Sequence, residues 1–249
     1  MDRQAWRIRW KRLVERLHVV GDPAAEQRLI ERLSRPDKTT VLAFVNAHAM
    51  NLVTHNAEFG QALVVADVLL RDGSGMAILL RQLGLEPGLN MNGTDFIPKL
   101  LAAYKGRRVA FWGTREPYLG QAVSRSVECF GTQPVSVCDG FAELDNYLRL
   151  ARETRPELIV LGMGMPKQEA LAAALAASGQ PCVVVCGGAI LDFLGGKVER
   201  APQWLRRLGG EWVFRLAREP RRLFMRYVVG NPLFLLRAVL LRKTVAKGA

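Results

Sequence analysis

From residue 107 to residue 186 the chain alternates short, β-branched apolar runs with longer stretches whose apolar residues recur at helical spacing. The runs 107–112, 134–138, 157–161 and 181–186 have the length of strands, and each gives way to glycine. The stretches 116–130, 141–154 and 166–178 have the length and periodicity of crossover helices. Parallel neighbours need such crossovers, so the alternation predicts a parallel sheet wound with helices, an α/β fold of Rossmann-like type. The first half repeats the pattern less cleanly, with strand 40–45, helix 49–61, strand 64–70 and helices near 74–83 and 94–104. It is expected to belong to the same layered domain. Ligands of such sheets bind beyond the carboxyl ends of the strands, where glycine lets a backbone approach closely. Those ends are Asn46, Asp72 with Gly73, Gly113 with Thr114, Gly140, Gly162 and Gly187.

The pattern changes after Arg200-Ala201-Pro202 to short helices rich in Arg, Trp, Phe and Leu, broken at Gly209, Gly210, Pro220 and Pro232. This divides the chain into a Rossmann-like domain, 1–199, and a basic helical appendage, 200–249. A chain of 249 residues can bury one sizeable core, so length does not demand more. Charge sharpens the division. Of a formal +12, the appendage supplies twelve Lys or Arg against two acids, Glu211 and Glu219. Trp204, Trp212, Phe214, Phe224, Tyr227 and Phe234 lie among those arginines, and 233–240 is strongly apolar. Basic and aromatic residues alternating on short helices suit an anionic membrane surface. Nucleic acid would match the charge, but no nucleic-acid module is visible, and the apolar last helix favours membrane.

No apolar run reaches the ~18 uninterrupted residues of a membrane span. The first sixteen residues carry six basic ones with no signal-type apolar run after them. The expectation is a cytoplasmic protein held peripherally on the inner face of the membrane. Cys129, Cys138, Cys182 and Cys186 lie in or beside apolar stretches and read as buried thiols. His18, His48 and His55 form no zinc spacing with them, so neither metal nor cofactor is expected.

Asp72 follows an apolar strand and precedes Gly73-Ser74-Gly75, which places its carboxylate at a strand end beside a helix N-terminus. There it can cap the helix, or, kept ionised by the helix dipole, take a proton from an attacking hydroxyl. Asn92-Gly93-Thr94-Asp95 opens the next helix. Asn and Thr are good caps, and the exposed amides of that turn could also hold an anionic or hydroxyl-rich ligand. Gly162-Met163-Gly164-Met165-Pro166-Lys167-Gln168-Glu169 describes a tight turn delivering a helix start toward a ligand. It is a poor dinucleotide fingerprint, because Gln168 stands near the third glycine position and no acid ends the next strand. Lys167 reads as a solvated helix lysine; Gln168 fits either a structural or a binding role. No Asp-x-Asp pair occurs, so nothing of the metal-bridging type offsets a departing diphosphate. Arg215, Arg218, Arg221, Arg222 and Arg226 could do so through bidentate bonds, or could simply form a solvated or lipid-facing surface.

Several motifs in order resemble the WecG/TagA/CpsF family of bacterial glycosyltransferases across nearly the whole chain. They are Val45-Asn46-Ala47-His48, Ala66-Asp67 through Arg71-Asp72-Gly73-Ser74-Gly75, Asn92-Gly93-Thr94-Asp95, Gly162 to Glu169, Arg200-Ala201-Pro202, and Glu211-Trp212 through Arg215-Leu216, Glu219-Pro220 and Arg222. The resemblance implies inverting, metal-independent transfer of a sugar from a nucleotide diphosphate donor, a UDP-sugar, to a polyprenyl diphosphate-linked saccharide in cell-surface polysaccharide synthesis. It implies Asp72 as the base, Asn46 and Gln168 lining the pocket, Arg215 and Arg222 on the donor diphosphate, and an appendage that completes the site. Gly73, Asn92, Gly93, Gly113, Thr114, Gly140 and Gly162 are the remaining expected substrate contacts. Phe44 and Asn90 replace a threonine and an arginine of some members, which bears on donor or acceptor choice. A homo-oligomer is compatible with this reading, and no nucleic-acid partner is expected. Two other classes stay open on the residues alone: a nucleotide-binding oxidoreductase, from the wound sheet and the Gly162-x-Gly164 pair, and a non-catalytic membrane or nucleic-acid adaptor, from the basic tail.

Overall fold

The structure, a computed structural model, describes residues 4–177, 179–207 and 209–245. Ser178, the expected end of the third crossover helix, and residues 246–249 of the appendage lie outside the described residues. Six strands, β1 Thr40–Val45, β2 Val68–Arg71, β3 Arg108–Gly113, β4 Gln133–Cys138, β5 Leu158–Gly162 and β6 Val183–Cys186, form one sheet in the order β2-β1-β6-β5-β3-β4. Every pairing is parallel. β1, β2, β3, β5 and β6 are buried along nearly their whole length, as a parallel sheet covered on both sides requires, whereas the edge strand β4 is largely exposed. Alternate residues Val41, Ala43 and Val45 join one core cluster, and Leu42 and Phe44 the other.

The first face is covered by α1 (Ala5–Arg16), α3 (Ala47–His55), α4 (Ala57–Val64), α5 (Ser74–Gln82), α8 (Leu144–Thr154) and α9 (Lys167–Ala176). The second is covered by α2 (Pro23–Leu33), α6 (Gly93–Ala103), α7 (Tyr118–Phe130) and α10 (Ile190–Leu194). Several elements differ from the sequence expectation. The helix expected over 49–61 is two, because Asn56 ends α3 and caps α4 by accepting from the Phe59 amide. Residues 64 and 65 belong to the end of α4, so β2 begins only at Val68. Helices α1 and α2 had no counterpart in the expectation. Their apolar stripes, Trp10 and Leu13, and Leu29, Ile30 and Leu33, are buried.

The appendage comprises α11 (Gln203–Arg207), α12 (Glu211–Arg218), α13 (Pro220–Phe224) and α14 (Gly230–Val245), the last two joined by a π-helical turn, Met225–Val229. Pro232 was expected to break the helix. Instead the wider π turn just before it takes up the missing amide and the ring's bulk, and Pro220–Arg242 runs as one helix. By length and composition alone that helix could cross a membrane, which the sequence reading did not anticipate. Its inner face is already committed. Phe234, Ala238 and Leu241 are buried in the first core cluster, Phe234 stacks on Trp10 at 5.3 Å, and Arg237 donates to Asn51 at 2.7 Å. Leu233, Leu235, Leu236, Val239 and Leu240 face outward. All four cysteines are free thiols, and Cys129, contrary to expectation, is exposed.

Candidate active site

The carboxyl ends of β1 and β2 bring Asn46 and Asp72 together. These strands are adjacent and parallel, with Val45 beside Arg71, so the next residue of each emerges side by side. Asn46 caps α3 by accepting from the Ala49 amide at 3.0 Å and turns its Nδ2 to Asp72 Oδ2 at 3.1 Å. The amide of Asp72 donates to Val45 O, so its backbone continues the ladder. Asp72 does not cap α5. Gly73, at φ +88°, occupies that position, and its amide donates to Asn90 Oδ1 at 2.8 Å. Asn90, one of the two departures, therefore closes the turn that follows Asp72.

Burial raises the Asp72 pKa. The bond from Asn46 and the positive charges of Arg226, Arg215 and Arg71 work against that rise. Arg71 is buried and donates to the carbonyls of Pro87, Gly88 and Gly73, which pins the 84–91 loop beside the strand end. Arg226 and Arg215 come from the appendage. The Nε of each is buried without a hydrogen-bond partner, as is Nε of Arg200. A buried guanidinium edge left unpaired is costly, and an anion is its natural complement. His48 stands near this group, and burial together with the charge of Arg226 pushes its pKa down to about 4. It is a neutral imidazole at physiological pH. Glu211 belongs to the same surroundings. Burial raises its pKa, Arg200 lowers it, and the charges of Asp72 and Asp95 raise it again.

Asn92 and Gly93 form the start of α6. Asn92 accepts from the Asp95 amide at 3.0 Å and donates to Asp95 Oδ2 at 2.8 Å, so its cap is realised. Gly93 packs under Phe44, the other departure, so close that an added Cβ would lie 3.6 Å from the Phe44 ring. Arg222 lies on the exposed side of its helix, bonded to Glu219, while its charge still acts on Arg226. Arg215 also lines a cavity of about 250 Å³ with Lys197, Val198, Glu199, Phe214 and Arg218.

The other expected contacts gather elsewhere, at the ends of β3, β4 and β5. A Cβ on Gly113, at φ +150°, would lie 2.4 Å from the Gly162 backbone, and one on Gly140 would lie 3.3 Å from the Thr114 amide. Thr114, at φ +43°, donates from its hydroxyl to Asp192 at 2.5 Å. Lys167, expected to be solvated, donates to the carbonyls of Gly140 and Ala142. Gln168 is fully buried. It donates to Glu169 at 2.8 Å and accepts from the Gly188 amide at 3.0 Å, tying α9 to the turn after β6. Glu169 is itself buried, its Oε2 unpartnered and its pKa raised to about 7 by burial.

Sequence reasoning had placed Arg226 only among five candidate arginines and had passed over Arg71 and His48. Both lie in motifs it quoted, directly beside Asp72 and Asn46. The sequence model of the Glycosyl transferase WecG/TagA/CpsF family matches residues 13–248. An N-acetylglucosaminyldiphosphoundecaprenol N-acetyl-beta-D-mannosaminyltransferase of Bacillus spizizenii is 27% identical over 172 residues, 67% of this chain and 66% of that protein. A protein of the same description from Bacillus subtilis is 26% identical over 188 residues, 73% of each chain. The matched stretch thus spans about two thirds of the first relative's length.

Proposed function

The chain belongs to the glycosyl transferase WecG/TagA/CpsF family, and from that premise we propose that it is an inverting, metal-independent glycosyltransferase. It takes a sugar from a nucleotide diphosphate donor, a UDP-sugar, and places it on a polyprenyl diphosphate-linked saccharide in cell-surface polysaccharide synthesis. The single observation that carries this reading is the gathering of Arg215 and Arg226, each with a buried unpaired Nε, around the strand-end carboxylate of Asp72. A base and a diphosphate cradle are what an inverting transfer needs from a site without an acid pair for a metal.

In the reaction, Asp72 removes the proton of the acceptor hydroxyl as its oxygen attacks the anomeric carbon. The bond from that carbon to the diphosphate breaks on the opposite side, and the nucleotide diphosphate leaves. Asn46 holds Oδ2, so the remaining carboxylate oxygen is the one that takes the proton. Burial raises the Asp72 pKa and makes the carboxylate a stronger base than an exposed aspartate, while the bond from Asn46 and the charges of Arg226, Arg215 and Arg71 favour its ionised form. Arg215 and Arg226 stabilise the leaving diphosphate, and Arg222 joins them from the solvent side by giving up Glu219. Gly73, Asn92 and Gly93 form the floor for the sugars. Gly113, Thr114, Gly140, Gly162 and Gln168 shape the rim where the nucleotide lies.

The relatives' names describe an N-acetylhexosamine donated to a diphosphoundecaprenol-linked N-acetylglucosamine. That acceptor class is proposed here too, with Phe44 and Asn90 bearing on sugar choice. The outward row of α14, with Phe224, Met225 and the exposed Trp204, is proposed to rest on the anionic inner leaflet and bring the lipid-linked acceptor to Asp72. A panel of nucleotide sugars offered with a short-chain polyprenyl diphosphate acceptor, scored by product mass, tests the reading. One donor should give a product heavier by one sugar, formed equally well in excess chelator. Hydrolysis alone, or dependence on a divalent ion, would contradict it.

A further inference from the structure

Asp95 stands in the first turn of α6, outside the group around Asp72, and the transfer chemistry gives it no task. Yet its carboxylate accepts from three side chains, two of them appendage arginines. Oδ1 accepts from Arg200 at 2.6 Å and from Arg206 at 3.3 Å, and Oδ2 accepts from Asn92. Arg200 opens the appendage, and Arg206 lies in its first helix. Arg206 also donates to Ala201 O at 3.1 Å, so the segment between them is clamped on itself as well as on α6. From Arg200 the contacts continue to Glu211 at 3.9 Å, the first residue of α12, and Arg215 follows one turn later on that helix.

We infer that Asp95 is a positioning residue for the transfer reaction: by binding Arg200 and Arg206 together it docks the start of the appendage and α12 on α6 and so sets where Arg215 stands relative to Asp72. This rests on the reading of the protein as a glycosyltransferase with Asp72 as base. The clamp is suited to position more than to stabilise. The Arg200 and Asp95 side chains are 28% and 44% exposed, and ion pairs that open to solvent contribute little to folding. Asp95 is held ready for it nevertheless. Burial would raise its pKa, but the bonds from Arg200 and Asn92 and the charges of Arg200 and Arg206 bring it below the usual value, and the helix start favours the same charge.

The groups facing Asp72 are Asn46 at the start of α3, Arg71 on β2, Glu211 and Arg215 on α12, and Arg226 on the following helix, with His48 on α3 behind Arg226. If α12 undocks, Asp72 loses the charge of Arg215, while Arg71 and Arg226, the latter on the helix that Phe234, Ala238 and Leu241 anchor in the core, stay in place, and so the carboxylate becomes harder to ionise. The expected results for Asp95→Asn in the full-length protein follow. The kcat/KM falls on the order of 10- to 100-fold, the acid limb of the pH–rate profile moves to higher pH, and amide exchange in 211–218 quickens while the sheet keeps its protection. Asp95→Glu restores a large part of the rate. On an Arg215→Gln background Asp95→Asn adds little, because both remove the same interaction.

An unmoved acid limb with unchanged exchange in 211–218 would overturn the inference, as would full additivity with Arg215→Gln. Should Asp95→Asn fold poorly, Arg206→Gln opens the same clamp from the other side and is judged by the same measurements. A wild-type protein that transfers no sugar would defeat the functional reading alone. Amide exchange in the Asp95→Asn protein would then still decide whether Asp95 docks α12.

Discussion

The sheet has two rims at the carboxyl ends of its strands, and they use their residues in opposite ways. At β1 and β2 the strand ends present side chains: Asn46 and Asp72 touch, and arginines from another part of the chain converge on them with unpaired donors. At β3, β4 and β5 the strand ends present backbone: Gly113, Thr114, Gly140 and Gly162 close on one another, and their polar neighbours, Thr114, Lys167 and Gln168, have protein partners. The first rim is left incomplete in a way that asks for an anion and a proton donor. The second is a rigid frame whose polar groups, apart from the buried Oε2 of Glu169, find partners within the protein. The proposed chemistry sits at the first rim, where unpaired arginine donors gather, not where glycines are densest.

The sharpest way to break this contrast is to remove the unpaired donors. Arg226→Gln should lower kcat by about 10²–10³-fold, a loss of about 3–4 kcal/mol of transition-state stabilisation. It should also shift the acid limb of the pH–rate profile upward, because Asp72 loses the first of the charges that hold its pKa down. Single-turnover rates across pH would show both effects. At the second rim the damage should fall on the fold instead. Gly113→Ala drives a Cβ into the Gly162 backbone at a φ that side chains avoid, and should cost about 3 kcal/mol of stability by denaturant melting, with activity per folded molecule reduced far less than in Arg226→Gln.

The frame also carries a titration signature. Glu169 has a folded pKa of about 7 against an ordinary value of 4.5, so the folded state binds more protons than the unfolded state between those values. Stability must therefore fall as pH rises from about 4.5 to about 7, and level off above. Glu169→Gln removes the group, keeps an acceptor for Gln168, and should flatten that dependence, gaining on the order of 2 kcal/mol at pH 8. Melts at matched ionic strength from pH 5 to 8 measure it. The smallest effect belongs to Arg222→Ala, about 1 kcal/mol in kcat/KM, since this arginine is exposed and shares its charge with Glu219.

Much of this layout is legible in the sequence. The six strands lie within a few residues of their expected bounds because a buried parallel strand is a short β-branched run that periodicity detects directly. Asn46 and Asp72 were recognisable because each follows such a run, and their meeting follows once β1 pairs with β2. Arg226 was not separable from Arg222. Which arginine turns inward depends on the phase of a helix that includes a π turn, and no local pattern fixes that phase. The engagement of Gln168, Lys167 and Asp95 likewise depends on partners 20, 27 and 105 residues away. Helices α1 and α2 did leave a signal, in Trp6, Trp10, Leu13 and Leu17 at helical spacing and in the Asp22-Pro23 start of α2, though the dense arginines around the first hide its stripe.

The central claim is that Asp72 does the proton transfer at the one rim the appendage completes. Asp72→Asn tests it most directly, with turnover followed by product mass and donor affinity by calorimetry on the same preparation. The account predicts turnover reduced by about 10²–10⁴-fold with donor affinity changed only a few-fold, since the arginine cradle is untouched. A variant that transfers sugar at a near-normal rate would contradict it.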